Sequence, residues 1–287
     1  MSRTVRFTKG HGTRNDFVLV DDRDDEFALT ASLAAMLADR RSGIGGDGVI
    51  RVARTSEAAD TEIRAQAVDA EWFMDYRNAD GSVAEMCGNG VRVFASYLRR
   101  EGLASAAGFG VATRSGTKFV RFAGENVVVD MGPWRYEDAE TGASGIDALV
   151  HVPDHEPFSA LRLNLGNPHT VVAVPPTVDL ETLDLSKAPV INPHPTSGTN
   201  VEFVQPLGPG HIRMRVHERG VGETESCGTG ICAAAIATHL WAGDLDRDKP
   251  WTVDVPGGRL QVRLLANGHV ELTGPAVLVA DGTVALP

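Results

Sequence analysis

An internal repeat is the feature that most limits how this chain can fold. Residues 85–91 read EMCGNGV and residues 225–231 read ESCGTGI, with Glu, Cys, two Gly and an aliphatic residue at the same offsets. The cysteines of the two motifs, Cys87 and Cys227, are 140 residues apart, close to half of the 287-residue chain. The repeat predicts a duplicated unit whose two copies are related by an approximate two-fold axis.

Similar patterns flank both motifs. Apolar residues at every second position predict a strand before each motif, and each strand ends nine residues before its cysteine, at Asn78 and at Glu218. Apolar residues at helical spacing then predict a helix after each motif, the first reaching Gly102 and the second Gly243. Each cysteine is therefore expected where a loop becomes a helix. The residues that carry these patterns are Trp72, Met74, Tyr76, Val91, Phe94, Ala95 and Leu98 in the first copy, and Ile212, Met214, Val216 and residues 231–241 in the second.

Turn signals downstream extend the correspondence. Glycine-containing turns follow both helices, and a Gly-Pro pair closes each copy, at residues 132–133 and 274–275. We predict an α+β fold of two homologous, pseudo-two-fold-related domains, each a mainly antiparallel sheet wrapped around a central helix. The predicted domains are residues 1–133 and 134–275, with 276–287 returning as a strand to the first. The acidic, turn-rich stretch from Trp134 to Ser159 is expected to join them.

Composition excludes several classes of function. The formal net charge is −11, which argues against a protein that binds nucleic acid or an anionic membrane. Hydrophobic residues make up 43% of the chain, enough to bury a core, and no stretch of about 18 apolar residues occurs. The first six residues alternate charged and apolar types and do not lead into a hydrophobic signal segment. We expect a cytoplasmic protein whose three cysteines are thiols.

Two motifs that could indicate cofactor or metal sites are better explained otherwise. Residues 43–48, GIGGDG, satisfy the glycine pattern of dinucleotide-binding proteins, but a predicted helix precedes them and a strand follows, which is the reverse of the order that such a site needs. A helix C-terminal turn or a loop lining a substrate cleft fits better. His151 and His155 cannot share a helix face because Pro153 lies between them, so we predict no metal site. Cys232 is predicted to pack inside its helix.

The paired cysteines suggest acid–base chemistry. A helix N-terminus favours negative charge, so we expect it to lower the pKa of each thiol and to offer backbone N–H groups to an anion. Two equivalent thiols on opposite faces of one carbon could invert a stereocentre, one as thiolate accepting a proton and the other as thiol donating one. The N–H groups would hold an α-carboxylate. An α-amino acid substrate is implied, and no cofactor is needed.

These motifs resemble those of the diaminopimelate epimerase family. The resemblance rests on residues 78–92 and 218–230, and extends to segments at 12–17, 164–169 and 199–201. It implies cofactor-independent conversion of LL- to meso-diaminopimelate, the step that feeds lysine and peptidoglycan synthesis, by two pseudo-symmetric domains. The family's habit also favours a homodimer.

The resemblance also implies roles for individual residues. Cys87 would donate the proton and Cys227 accept it in the LL-to-meso direction. His169 and Glu218 would tune the thiols. The α-carboxylate would be held by Gly88, Asn89, Gly228 and Thr229, and the rest of the substrate by Asn15, Asn78, Asn167, Asn200, Glu218 and Arg219. Two positions depart from the family pattern: Gly48 stands where many members have Gln, which puts one substrate contact in doubt, and Val93 stands where a third cysteine is common.

Other functions stay open at this point. A proline or hydroxyproline racemase uses two cysteines on the same architecture, although such proteins typically carry His at the position of Asn89. A phenazine-pathway isomerase shares the fold but lacks the thiol pair. A non-catalytic amino-acid-binding protein would exchange no α-hydrogen.

Overall fold

The computed structural model describes residues 3–105, 107–243 and 249–286. Strands dominate, with few helices, so the predicted α+β class is confirmed. The chain divides into two compact units, one comprising Met1–Asp130 and Gly274–Pro287 and the other Met131–Thr273. Of the segments interpreted above, Met1, Ser2 and Pro287 lie outside the described residues.

The first unit is a sheet built around helix α3. Its last strand, β19, pairs antiparallel with β1, which pairs with β2, so the C-terminal segment belongs to this unit. The β2–β3 and β4–β5 pairs are parallel, and the β3–β4, β5–β6 and β6–β7 pairs are antiparallel. The elements are β1 (Arg3–Gly12), β2 (Asn15–Asp21), α1 (Ala31–Ala38), β3 (Gly48–Arg54), α2 (Thr61–Arg64), β4 (Trp72–Asn78), α3 (Gly88–Arg100), β5 (Phe109–Ala112), β6 (Lys118–Ala123), β7 (Asn126–Pro133) and β19 (Val277–Leu286), with 3-10 turns at Thr55–Glu57 and Ala65–Val68.

The second unit repeats this plan around helix α5. Strand β10 pairs antiparallel with β8, β9 and β11, and β13 with β14, while the β11–β13 and β14–β16 pairs are parallel. Strands β16, β17 and β18 continue antiparallel. The elements are β8 (Arg135–Tyr136), α4 (Ala139–Gly142), β9 (Ala148–His151), β10 (Phe158–Asn164), β11 (Pro168–Ala173), β12 (Val190–Asn192), β13 (Asn200–Gly208), β14 (His211–Glu218), β15 (Gly222–Thr224), α5 (Gly228–Ala242), β16 (Trp251–Val255), β17 (Gly258–Leu264) and β18 (His269–Gly274), with a 3-10 turn at Leu180–Thr182.

The duplication is visible in the topology of the two motifs. In each unit a strand runs to the cysteine loop, a helix follows, and the next strand pairs parallel to the first: β4, α3 and β5 in one unit, and β14, α5 and β16 in the other. The predicted strands before the cysteines and helices after them are confirmed. Helix α5 ends where expected, at Gly243, whose φ of 72° suits glycine.

The glycine-rich loop and the stretch between the two predicted domains each have a defined place in the fold. The glycine-rich loop follows helix α1 and precedes strand β3, which confirms the order that argued against a dinucleotide site. The stretch from Trp134 to Ser159, expected to be a turn-rich join, contains α4 and the strands β8 and β9, each of which pairs with β10 in the second unit. These elements are too short for their sequence periodicity to show them.

The close packing around α5 explains why this helix is rich in alanine. The helix is buried on nearly every side, and residues such as Ala234 and Ala235 are fully buried, because small side chains let the surrounding strands approach it closely. No helix among the described residues is long and apolar enough to cross a membrane.

We predict that Ala235→Leu destabilises the second unit, because the added methylene groups have no space in a packed interior. The free energy of unfolding should fall by about 1–3 kcal/mol, measured by urea denaturation. The same substitution at Ala242, exposed at the end of the same helix, is the control and should change stability by less than about 0.5 kcal/mol. Equal effects at both positions would contradict tight packing around α5.

Candidate active site

Both cysteines lie at the N-cap of the buried helix of their unit. Cys87 precedes α3 and Cys227 precedes α5, each with extended backbone angles. The Cys87 carbonyl accepts from the Val91 N–H at 2.8 Å, and the Cys227 carbonyl from the Ile231 N–H at 2.9 Å. The two motifs therefore fold alike, with the N–H groups of the first helical turn beside each sulfur, where a helix leaves them without intrahelical partners.

In the first unit, two predicted asparagines surround the half-buried Cys87. The thiol donates to Asn15 Oδ1 at 3.6 Å, and the Gly90 N–H donates to the sulfur at 3.5 Å. Asn89 Nδ2 donates to the same Asn15 Oδ1 at 3.2 Å. The structure thus brings together Cys87, Asn15 and Asn89, from positions far apart in the sequence, with Gly88 directly beside them as the first residue of α3.

Asn78 has a different setting. It ends strand β4, where its side chain accepts from the Tyr76 hydroxyl and donates to the Ser82 hydroxyl, both at 3.0 Å. These bonds order the turn after the strand.

Gly48, on the neighbouring strand, packs against Tyr76, and a Cβ at position 48 would lie 2.4 Å from the Tyr76 ring. A larger residue does not fit beside this ring, which gives a physical reason for glycine at that position.

In the second unit, a hydrogen-bonded row of side chains leads to Cys227. The Cys227 sulfur lies 3.6 Å from Thr229 Oγ1, which accepts from Asn167 Nδ2 at 3.3 Å. Asn167 Oδ1 lies 3.0 Å from His169 Nε2, and His169 Nδ1 lies 2.7 Å from Glu202 Oε1. The structure therefore connects three predicted site residues, Asn167, His169 and Thr229, to the second cysteine. Gly228 stands between Cys227 and Thr229 at the helix start.

Glu218 completes the surroundings of Cys227. It ends strand β14, its carboxylate accepts from the Thr224 hydroxyl, and it lies close enough to Cys227 for each group to affect the pKa of the other. Burial raises the pKa of Glu218, and the nearby Glu202 carboxylate raises it further. A carboxyl group with a raised pKa is a better proton acceptor than an ordinary one.

The expected lowering of the thiol pKa is wrong for Cys227. Burial raises the pKa of this thiol well above its usual value, and the charges of Glu218 and Glu202 add to the effect. The Gly230 N–H and the Thr229 hydroxyl act in the opposite direction but are outweighed. The helix N-terminus favours an anion, but loss of hydration and two neighbouring carboxylates count for more.

Asn200 and Arg219 order the loops near this row. Asn200 donates to the Pro168 carbonyl at 3.2 Å and accepts from the Arg219 N–H at 3.0 Å. The Arg219 guanidinium donates to the Ser197 carbonyl at 2.9 Å and packs against Gly198. Asn200 thus ties the start of strand β11, which carries His169, to the residue that follows strand β14.

Sequence reasoning missed three residues that support these clusters. Glu202 is fully buried in strand β13, and Arg92 is fully buried in α3. Asp47, in the glycine-rich loop, accepts from Asn15 Nδ2 at 2.7 Å. An available signal was a charged residue within an otherwise apolar element, since such groups are rarely buried without partners. Among the described residues, no group of three or more His, Cys, Asp or Glu is placed to hold a metal ion.

Solved structures of several enzyme types share this fold. A phenazine biosynthesis protein of the PhzF family from Bacillus anthracis superposes with a TM-score of 0.65 at 15% identity, covering 98% of this chain and 99% of that one. A hydroxyproline epimerase from Agrobacterium vitis superposes with a TM-score of 0.63 at 15% identity, covering 99% and 93%. At such identities the likeness concerns the fold alone, and it confirms the predicted epimerase-like architecture.

Comparison of sequences is more specific. A family model described as diaminopimelate epimerase matches residues 7–137 and 162–279. A diaminopimelate epimerase from Streptomyces coelicolor is 49% identical, covering 98% of this chain and 96% of the relative. The one from Thermobifida fusca is 48% identical, covering 98% of this chain and 98% of the relative. The one from Corynebacterium glutamicum is 42% identical over the full length of both sequences. The predicted resemblance is confirmed, and the chain belongs to the diaminopimelate epimerase family of amino-acid isomerases.

Proposed function

We propose that this protein converts LL-diaminopimelate to meso-diaminopimelate without a cofactor, by proton transfer between Cys87, Cys227 and the α-carbon. The observation that carries the proposal is the repeated placement of a cysteine at the N-cap of a buried helix, in a chain of this family. The product would feed lysine and peptidoglycan synthesis. We further propose a cytoplasmic protein, a homodimer as is the family's habit, and a domain division at residues 133/134 and 275/276, where a Gly-Pro pair closes each copy.

The proposed reaction breaks one C–H bond and forms another on the opposite face. The Cys227 thiolate accepts the α-proton, and the Cys87 thiol donates a proton from the other side, which inverts the configuration. The enzyme is left with Cys227 as thiol and Cys87 as thiolate, the state required for the reverse reaction. No electrons are transferred, so an oxidant or reductant is not required.

Backbone groups at the helix ends suit the α-carboxylate. The N–H groups of Gly88, Asn89, Gly228 and Thr229 belong to first helical turns, where the helix dipole favours an anion. Removing the α-proton places further negative charge next to this carboxylate, so the same donors would stabilise the transition state more than the ground state. For the rest of the substrate we propose contacts from Asn15, Asn78, Asn167, Asn200, Glu218 and Arg219.

Before each LL-to-meso turnover, Glu218 is proposed to take the proton from Cys227 and pass it to water, while the Cys87 thiolate regains a proton from water. Glu218 lies next to the Cys227 thiol, and its raised pKa makes it more basic than an ordinary carboxylate. His169 would support the site through Asn167 and Thr229, to which it is linked by hydrogen bonds.

The deciding experiment is hydrogen exchange. In heavy water with reductant, and without pyridoxal phosphate or added metal, the protein should incorporate deuterium at the α-position of LL-diaminopimelate, followed by proton NMR or mass spectrometry. Exchange into proline instead would select the racemase alternative. Absence of exchange into either would support a non-catalytic binding protein and refute the proposal.

The two-thiol proposal predicts that Cys87→Ala and Cys227→Ala each reduce epimerisation by at least about 10²-fold, because each removes one of the two proton-transferring groups. Cys232→Ala is the matched control. That thiol is buried within α5, so the variant should keep near-normal turnover. Turnover close to wild type in Cys87→Ala or Cys227→Ala, with circular dichroism confirming the fold, would end the two-thiol mechanism.

The electrostatics of Cys227 predict the effect of removing the Glu218 charge. In a Cys87→Ala background, Glu218→Gln should lower the thiol pKa and so raise the thiolate fraction at pH 8, because a negative charge that opposes ionisation is lost. Alkylation of Cys227 by iodoacetamide should accelerate roughly three- to tenfold. Glu223→Gln, on the adjacent strand β15, is the control and should leave the rate unchanged. Unchanged or slower alkylation in Glu218→Gln would show that this charge does not raise the thiol pKa.

A further inference from the structure

Four side chains of the first unit form a hydrogen-bonded network that passes beside Cys87. Arg92 donates to Asn89 Oδ1 at 2.9 Å, and Asn89 Nδ2 donates to Asn15 Oδ1 at 3.2 Å. Asn15 Nδ2 then donates to Asp47 Oδ2 at 2.7 Å. This hydrogen-bonded network joins helix α3, the start of strand β2 and the glycine-rich loop.

The two ends determine the direction of this hydrogen-bonded network. A guanidinium can only donate hydrogen bonds, and a carboxylate can only accept them. Asn89 must therefore turn its oxygen to Arg92 and its NH₂ group to Asn15. Asn15 in turn must direct its NH₂ group to Asp47, which leaves its oxygen facing Asn89 and Cys87. Rotating either carboxamide by half a turn would place like groups against each other at one or both of its bonds.

Both ends are themselves held in place. Arg92 is fully buried and also donates to the Thr13 hydroxyl at 3.1 Å and to the Gly88 carbonyl at 3.3 Å. Asp47 also accepts from the Asp16 N–H at 3.1 Å, and its other oxygen accepts from Arg40 at 2.8 Å. The hydrogen-bonded network is thus anchored in the core at Arg92 and by Arg40 at Asp47.

This direction has a consequence for Cys87. The Asn15 oxygen has no hydrogen to donate, so at 3.6 Å it can accept from a thiol but would set its lone pairs against a thiolate. The Gly90 N–H supplies the sulfur with one donor. The thiol hydrogen is donated to Asn15, which favours the protonated form of this cysteine.

We propose that Asp47 and Arg92 are positioning residues that hold the Asn15 carbonyl toward Cys87 and so keep this cysteine as the thiol in the resting protein. The inference rests on the proposed function, because a resting thiol is the state that a proton donor in the LL-to-meso direction requires. It assigns a role to Asp47, which the sequence motifs left without one.

The state of Cys87 can be measured without substrate. In a Cys227→Ala, Cys232→Ala protein, Cys87 is the only cysteine, and its S–H stretching band can be recorded by infrared spectroscopy at pH 7. We expect a band shifted to lower frequency than that of free cysteine, as for a thiol that donates to a carbonyl. A missing band, or one at the free-cysteine frequency, would overturn the proposal. Because no diaminopimelate is used, this result is independent of whether the proposed function holds.

Variants in the same background test the positioning role. Asp47→Ala should move the S–H band toward the free-cysteine frequency and raise the rate of Cys87 alkylation at pH 7.5 by roughly two- to fivefold, the size of effect expected from one weak hydrogen bond. Asp16→Ala is the matched control: this adjacent carboxylate accepts from Arg40, at 2.6 Å, and from Lys9, whereas Asn15 donates to Asp47. An unchanged band in Asp47→Ala, or an equal change in Asp16→Ala, would show that Asp47 does not position Asn15.

Discussion

The burial of one helix in each unit is the constraint on which the remaining architecture depends. A buried helix cannot leave the N–H groups of its first turn without partners, because water is not there to satisfy them. In both units a cysteine occupies the N-cap, and glycines follow it, so the backbone is open to an anion at this point. The sheets surround the helices, and the candidate site residues lie at strand ends, in the first helical turns and in the loops between them.

The surroundings of the two sulfurs differ although their backbones are alike. Cys87 is half-buried among carboxamides, which are neutral and oriented by Arg92 and Asp47. Cys227 is buried beside carboxylates, and its environment disfavours the thiolate through lost hydration and like charge. Duplication therefore supplied two equivalent positions, and divergence of the neighbouring side chains made them chemically distinct.

Glu202 links packing to chemistry in the second unit. Its carboxylate is fully buried against the first turn of α5, where a Cβ on Gly230 would lie 2.6 Å from Oε1, so only glycine fits. The same carboxylate pairs with His169 at 2.7 Å and opposes ionisation of Cys227. A buried carboxylate is costly unless it has partners, and Oε1 of this one lies beside the first turn of α5 and the His169 imidazole.

The sequence alone determined the duplication, the strand–loop–helix order around each cysteine and the family. These features depend on local periodicity and on motifs that are contiguous in the chain, and each of the two copies contains them. Only the tertiary structure decided the pKa direction of Cys227 and the supporting roles of Asp47, Arg92 and Glu202. Those properties arise from burial and from side chains such as Asn15 and Asn89, or His169 and Glu202, that are distant in sequence. Electrostatic energy and hydrogen-bond direction depend on distances in space, which a linear order of residues does not contain.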